Sequence, residues 1–561
     1  VQHMVAHVLG VPSNAVTVVL RRMGGAFGGK ETQGNLFASV AAVAAKKYRR
    51  AVKIRPDRDD DMVATGKRHD FLVDYAVGYD DEGRIEAVEA TYAARCGNSA
   101  DLSGPVTDRA LFHADNCYFY PNVRLVSKPL KTNTVSNTAY RGFGGPQGMV
   151  AGERMIEEIA YALGKDPLEV RKANFYGPGR DVTPYHQQVR DNIIGRIVEE
   201  LEASSDYQAR RKAVLEFNAR GGVIRKGIAL TPVKFGISFT ATWYNQAGAL
   251  VHIYNDGSIH LNHGGTEMGQ GLYTKVAQVL ADEFQVDLDH VKITATTTGK
   301  VPNTSATAAS SGSDLNGMAA ANAAQQIKDR LIAFACEEHG VTADQVAFEP
   351  NTVRVGNQRF SFAEFIAAAY MARVQLTATG FYKTPEIHWD RAAGKGMPFY
   401  YFAYGAAVSE VSIDTLTGEY MVERTDILHD VGRSLNPALD KGQVEGGFVQ
   451  GMGWLTTEEL WWDDEGRLRT HAPSTYKIPL ASDRPREFNV RLAEWSENKA
   501  ATIRRSKAVG EPPFMLALSV LEALSMAVAS VAGYRICPRL DTPATPECVL
   551  MAVERLRAKR G

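Results

Sequence analysis

The sequence predicts an α+β protein of at least two domains, mixing α/β segments with antiparallel hairpins. Three observations predict it. β-Branched strand-like runs alternate with Ala- and Leu-rich helical runs in both halves. Two pairs of strand segments flank hairpin turns. Its 561 residues are about twice the length at which a single hydrophobic core stops growing.

The elements follow in order. Residues 1–9 read like the middle of a helix and Val1 is not an initiator, so the chain is expected to begin inside a longer polypeptide. Residues 16–20 are β-branched and strand-like, and residues 35–46 form an Ala-rich helix after a glycine loop. Segments 72–79 and 85–92 flank Asp80-Asp81-Glu82-Gly83, a hairpin signal. Asp166-Pro167 is a helix start, an N-cap followed by proline at the first helical position. The charged stretch 203–226 ends in Gly221-Gly222 and reads as a linker, dividing the chain into residues 1–220 and 221–561. A second hairpin joins 250–254 and 258–262 through Asn255-Asp256-Gly257, and two more glycine- or serine-rich loops each lead into a helix. Asp59-Asp60-Asp61 reads as a solvated turn, and His263 as a structural histidine.

Composition excludes several function classes. Lys and Arg total 63 against 64 Asp and Glu, which supports no nucleic-acid or anionic-membrane partner. No run approaches the roughly 20 continuous apolar residues of a membrane helix, and residues 514–532 read as a buried helix. Cys96, Cys117, Cys336, Cys537 and Cys548 form no CxxC pair, so zinc-ribbon and iron–sulfur ligand sets are not visible. Scattered single cysteines fit a reducing cytoplasm.

The sharpest local pattern is Met23-Gly24-Gly25-Ala26-Phe27-Gly28-Gly29-Lys30-Glu31-Thr32. It nearly satisfies a phosphate-binding P-loop, but Glu31 stands where a Ser or Thr must hold magnesium, which leaves a nucleotide-binding protein as the remote alternative. Four further segments share the glycine- or serine-rich character: 141–146, 264–271, 308–312 and 442–447. Glycines let backbone N–H groups approach a bound group, and helix starts favour its negative charge. Several such loops from distant parts of one chain predict a large, polar, phosphate-bearing ligand between domains.

With these loops the chain resembles xanthine dehydrogenases and related molybdenum hydroxylases. GGAFGGKE, AYRGFGGPQ, KFGISFT, HGGTEMGQG, TAAS, GQVEGGFVQG, PSTYKIP and SKAVGEPP occur in that family's order, and the match extends to residues 541–546. The resemblance implies two molybdenum-cofactor-binding domains with molybdenum-molybdopterin between them. The metal would carry oxo, sulfido and hydroxide ligands and no direct side-chain ligand. It implies backbone contacts near the metal from Phe27, Arg141 and Ala309, and contacts to the cofactor from Gly25, Gly28, Gln270, Ser310 and Gln443. The family's glutamine facing the oxo group lies upstream of GGAFGGKE and is absent here, so the chain is expected to be the C-terminal part of a subunit.

The same resemblance assigns the chemistry. Glu511 is the expected general base, taking a proton from the metal's hydroxide before the oxygen attacks an electron-poor ring carbon. Arg109 and Glu31 are the polar pair for hypoxanthine or xanthine on the way to uric acid, the guanidinium stabilising negative charge on the purine. Phe143 and Phe239 are the expected aromatic clamp, with Thr240 a hydrogen-bond donor. On the residues alone, Glu511 and Glu31 also read as helix-start carboxylates, and Arg109 as a surface ion pair with Asp108. The family passes electrons through 2Fe–2S clusters and FAD to NAD. Another subunit or segment would hold those groups, in a dimer of complete units. Aldehyde oxidases are the nearest rival, usually apolar where Glu31 and Arg109 stand. Carbon monoxide dehydrogenase carries a cysteine in its active-site loop, and residues 140–145 contain none.

Overall fold

A computed structural model describes residues 1–301 and 304–559. Helices and strands are mixed throughout, as expected. The organising element is a four-stranded sheet ordered Glu487–Leu492, Tyr420–His429, Tyr401–Asp414 and Ile224–Ile237. The last two pair antiparallel along their whole lengths, from Tyr401 opposite Ile237 to Asp414 opposite Ile224. Both are almost wholly buried, so side chains alternate between two cores. Val233, Phe235, Ala403 and Ala407 pack under the helices Leu518–Ala529 and Pro437–Thr456. Leu230, Phe402, Tyr404 and Val408 face a core shared with the helices Ile194–Ser204 and Gly145–Leu163.

A second sheet, ordered Thr377–Lys383, Gln246–Ile253, Ile259–His263 and Val291–Ile293, packs against the helices Leu272–Phe284 and Gly312–His339. Nearer the N-terminus, Phe71–Tyr79 and Ile85–Gly97 form the expected hairpin, joined in parallel by Val123–Lys131. Asp166 caps Pro167–Asn174 by accepting from the Leu168 N–H. Gly34–Tyr48 is helical as expected.

Several expectations need correction. Residues 16–20 shrink to the strand Val19–Leu20, which pairs with the two-residue strand Thr296–Thr297. The proposed linker is mostly the helix Tyr207–Ala219, whose Val214 is buried; a turn at Ser205-Asp206 precedes it, and Gly221-Gly222, both at positive φ, follow it. Asp59, Asp60 and Asp61 form the first turn of the helix Arg58–Ala64, capped by Asp57. Carboxylates there meet the positive end of the helix dipole. The run Pro512–Ala532 has the length and mean hydropathy, 2.0, of a membrane span, contrary to the expectation that no run approaches one, but it lies almost entirely inside the core, as expected of residues 514–532. A 3₁₀ segment at Pro512–Ala517 leads into the buried helix.

Candidate functional site

Four loops and one helix converge beside the start of the run Pro512–Ala532. The 23–32 loop holds Gly24, Gly25, Phe27 and Gly28 at positive φ, and Phe27 is unusual there because it carries a Cβ. Lys30 Nζ donates to the Met23 carbonyl and closes this loop on itself, so the lysine is not presented as in a P-loop. The loop is stitched to residues 264–271: Met23 N donates to Glu267 O at 3.0 Å and Gly25 N to Met268 O at 2.7 Å. Thr266 N then reaches Thr307 Oγ1 at 2.9 Å, joining the 304–311 turn. Two consecutive residues in that turn, Ala309 and Ser310, have φ of 54° and 58°. The 141–146 loop follows the same pattern, with Gly142, Phe143 and Gly144 all at positive φ.

The fifth glycine segment, 442–447, is not a loop. It lies within the helix Pro437–Thr456. One of its glycines permits a close approach: a Cβ on Gly447 would stand 2.7 Å from Pro513 Cβ and 2.9 Å from an Arg141 nitrogen. The helix therefore presses directly on the Glu511 segment and on Arg141.

Arg109 projects from the helix Ser103–Phe112 and is buried, contrary to a surface role; Asp108 pairs instead with Arg391. Its Nη2 and Nη1 donate to the carbonyls of Gly236 (2.7 Å) and Ser238 (3.0 Å), while its buried Nε has no protein acceptor. Burial lowers its pKa, and the negative charge of Glu511 opposes that shift. Glu31 precedes its helix rather than lying in the first turn. Burial, with the charges of Glu511 and Asp101, pushes its carboxyl up to about 7. Glu511 thus acts electrostatically on Glu31, Arg109 and Arg141, which come from three distant parts of the chain.

Glu511 makes no helix-capping bond with its side chain. Its Oε2 accepts from Ser310 Oγ at 2.8 Å, and its N–H donates to that same Oγ at 2.8 Å. Arg141 ties the neighbouring elements together, donating to Gly510 O (2.6 Å), Gln443 O (3.2 Å) and Gln450 Oε1 (3.2 Å). Phe143 is partly buried. Phe239 is also partly buried, with its ring centroid 5.6 Å from that of Tyr244 and Thr240 beside it. Gln270 folds back on its own loop, accepting from Met268 N and donating to Thr266 O.

Two residues that sequence reasoning missed organise the site. Glu267 is a buried carboxylate accepting from the N–H groups of Gly269, Gly271 and Tyr273, which sets the shape of the 264–271 loop. It stands inside a quoted motif, so its carboxylate among glycines was an available signal. Arg68 lies against the rings of Tyr140, Phe514 and Trp454, at 4.3, 4.6 and 5.2 Å, and donates to the Arg141 carbonyl at 2.8 Å. Nothing in its local sequence announces that role.

Positive-φ loops and buried guanidinium nitrogens without protein acceptors suit a large ligand rich in acceptors. Among the described residues no group of three or more His, Cys, Asp or Glu converges on a metal-sized site. A metal held through an organic cofactor fits such a donor set. Two family models, each described as a molybdopterin cofactor-binding domain, match residues 1–175 and 200–485. The chain belongs to the molybdopterin cofactor-binding family. It is 47% identical to xanthine dehydrogenase of Oryza sativa subsp. japonica, over 98% of this chain and 39% of that protein. It is 48% identical to xanthine dehydrogenase/oxidase of Gallus gallus, over 97% of this chain and 39% of that protein. The chain thus spans about two-fifths of the length of these relatives. The structure of quinoline 2-oxidoreductase from Pseudomonas putida 86 superposes with a TM-score of 0.85 at 23% identity, covering 99% of this chain and 71% of that one, and shows the fold.

Proposed function

We propose that this chain is the molybdenum-binding part of a xanthine dehydrogenase that hydroxylates hypoxanthine and xanthine to uric acid. The observation that carries the reading is the grouping of a buried guanidinium, Arg109, and a carboxyl poised to titrate near neutrality, Glu31, around the carboxylate of Glu511. A purine uses all three groups, whereas a simple aldehyde needs only the base. When bound, molybdenum-molybdopterin would supply a water-derived oxygen for insertion and take up the two electrons of the oxidation.

The chain's own residues then have distinct tasks. Glu511 receives a proton at Oε1, since Ser310 engages Oε2. Arg109 faces the purine oxygen and nitrogen atoms on which negative charge develops, with its plane fixed by two backbone carbonyls. Glu31 accepts from a ring N–H when ionised or donates to the ring when protonated. Phe143 and Phe239 hold the ring, and Thr240 donates to it. Backbone groups at Gly25, Phe27, Gly28, Arg141 and Ala309, with Gln270 and Gln443, line the cofactor, whereas the Ser310 hydroxyl, expected at the cofactor, is engaged by Glu511.

The wider assignment is part of the same proposal. Electrons leave through 2Fe–2S clusters and FAD, held in another segment or subunit, to NAD. The complete unit dimerises in the cytoplasm, in keeping with five free cysteines. Residues 1–220 and 221–561 form the two cofactor-binding domains. The test is to purify the complete assembly from a host that makes molybdopterin, then measure molybdenum and turnover of xanthine against benzaldehyde in ¹⁸O-water. Bound molybdenum, ¹⁸O in uric acid and a preference for xanthine of at least about tenfold are expected. An assembly that prefers the aldehyde would overturn the purine reading.

A further inference from the structure

We propose that Ser310 is a positioning residue for the Glu511 carboxylate, an inference that rests on the function proposed above. One hydroxyl grips two parts of the same residue: it accepts from the Glu511 N–H and donates to Glu511 Oε2, both at 2.8 Å. This closes a small ring of hydrogen bonds and fixes a side chain that otherwise has extensive rotamer freedom. Glu511 immediately precedes the turn Pro512–Ala517, whose first two residues are prolines without an N–H and whose Phe514 N–H donates to the Glu511 carbonyl at 3.0 Å, so the Ser310 hydroxyl supplies the anchor that the start of the turn does not.

The surrounding backbone is built for this contact. Ala309 and Ser310 both adopt the left-handed region, a strained conformation for residues with a Cβ, and it turns the Ser310 hydroxyl toward residue 511. On the other side the contact depends on Gly510, where a Cβ would lie 2.9 Å from Ser310 Oγ. The Gly510 carbonyl is held by Arg141 Nε at 2.6 Å, so the backbone leading into Glu511 cannot drift from the hydroxyl.

The chemical consequence is directional. A hydroxyl donating to Oε2 occupies that oxygen and leaves Oε1 to receive the proton. A general base acts only within hydrogen-bond reach of the proton it removes, so an unanchored Glu511 lowers turnover more than substrate binding. This differs from a contact to the pterin, whose loss would first lower cofactor content.

The complete assembly carrying Ser310→Ala, Ser310→Thr, Glu511→Gln or the Ser310→Ala/Glu511→Gln pair separates these roles. Ser310→Ala should retain molybdenum, pterin and the KM for xanthine, while kcat falls about 10- to 100-fold, the range of a lost hydrogen bond to a charged group. Ser310→Thr should restore most of the rate. Adding Ser310→Ala to Glu511→Gln should change single-turnover reduction by less than about twofold, because the two act as one unit. In a crystal structure of Ser310→Ala the Glu511 carboxylate should leave its parent rotamer. Cofactor loss in step with activity, equal losses with and without Glu511, or an unmoved carboxylate would each overturn the proposal. A parent enzyme that binds molybdenum but does not oxidise xanthine would overturn the functional reading instead, and the crystallographic comparison would still judge Ser310.

Discussion

If the proposed purine pocket is right, replacing Glu31 by Val and Arg109 by Met together should shift preference from purines toward aldehydes. Each substitution removes a polar partner that a purine uses and an aldehyde does not. A hydrogen bond to a charged group contributes about 1.5–3 kcal/mol, so the pair corresponds to roughly 10²–10⁴ in kcat/KM for xanthine if the terms add. Glu511 acts on both groups, which couples them, and the loss is then smaller but still at least about tenfold. Arg109→Met also bares the buried carbonyls of Gly236 and Ser238, at about 1–3 kcal/mol for each uncovered group. Removing a buried cation offsets part of that cost. Thermal unfolding and molybdenum content must therefore accompany the kinetics. The assay is steady-state turnover of xanthine and benzaldehyde by the complete assembly, with rates normalised to molybdenum. A double variant that oxidises xanthine as well as the parent would refute the assignment of this pocket.

Glu511→Gln keeps the shape of the base but cannot take up the proton, so xanthine reduction should slow by about 10⁴ or more at normal cofactor content; near-parent reduction would return Glu511 to a structural role. Phe143→Ala should weaken turnover of flat heteroaromatic substrates more than of small aliphatic aldehydes, and equal losses in kcat/KM would make Phe143 a packing residue. Glu31 titrates higher in the folded chain, at about 7, than the ordinary 4.5. The stability this gives is complete below about 4.5 and is lost as pH rises through about 7. Parent melting temperature should therefore fall relative to Glu31→Gln across that window, and parallel pH profiles in differential scanning fluorimetry would contradict the shift.

Local chemistry was legible in the sequence, and long-range partnership was not. The hairpin at Asp80-Asp81-Glu82-Gly83 and the cap at Asp166 depend on neighbours a few residues away, so their signals survive folding. Gly447 was misread as part of a loop because glycine serves equally for a turn and for close approach, and its partner, Pro513, distinguishes the two. Arg109 beside Asp108 looked like an ion pair, yet on a helix adjacent residues point apart. The contact between Ser310 and Glu511 spans 201 positions, and no spacing rule reaches so far. Motif order named the loops that meet at the candidate site; its internal wiring came from the fold.

That wiring treats positive charge differently from the rest of the interior. Elsewhere, buried cations meet carboxylates: Arg171 pairs with Glu153 and Glu157, Lys234 with Asp115, and Lys507 with Asp430. At the site, three guanidiniums, those of Arg68 and Arg109 buried and that of Arg141 partly so, are held chiefly by neutral acceptors. Arg109 donates to Gly236 and Ser238, Arg68 to Arg141, and Arg141 to Gly510, Gln443 and the Gln450 amide. A carbonyl fixes the orientation of a guanidinium without neutralising it. Burial pulls the pKa of Arg68 and Arg141 down to about 10, still high enough for both to remain charged at neutral pH. The result is a preorganised positive field around one carboxylate, in surroundings where fixed charges act more strongly than in water. A phosphate-bearing cofactor and a purine gaining negative charge would both draw on that field. Pairing these arginines with carboxylates would stabilise the cations at the expense of the field.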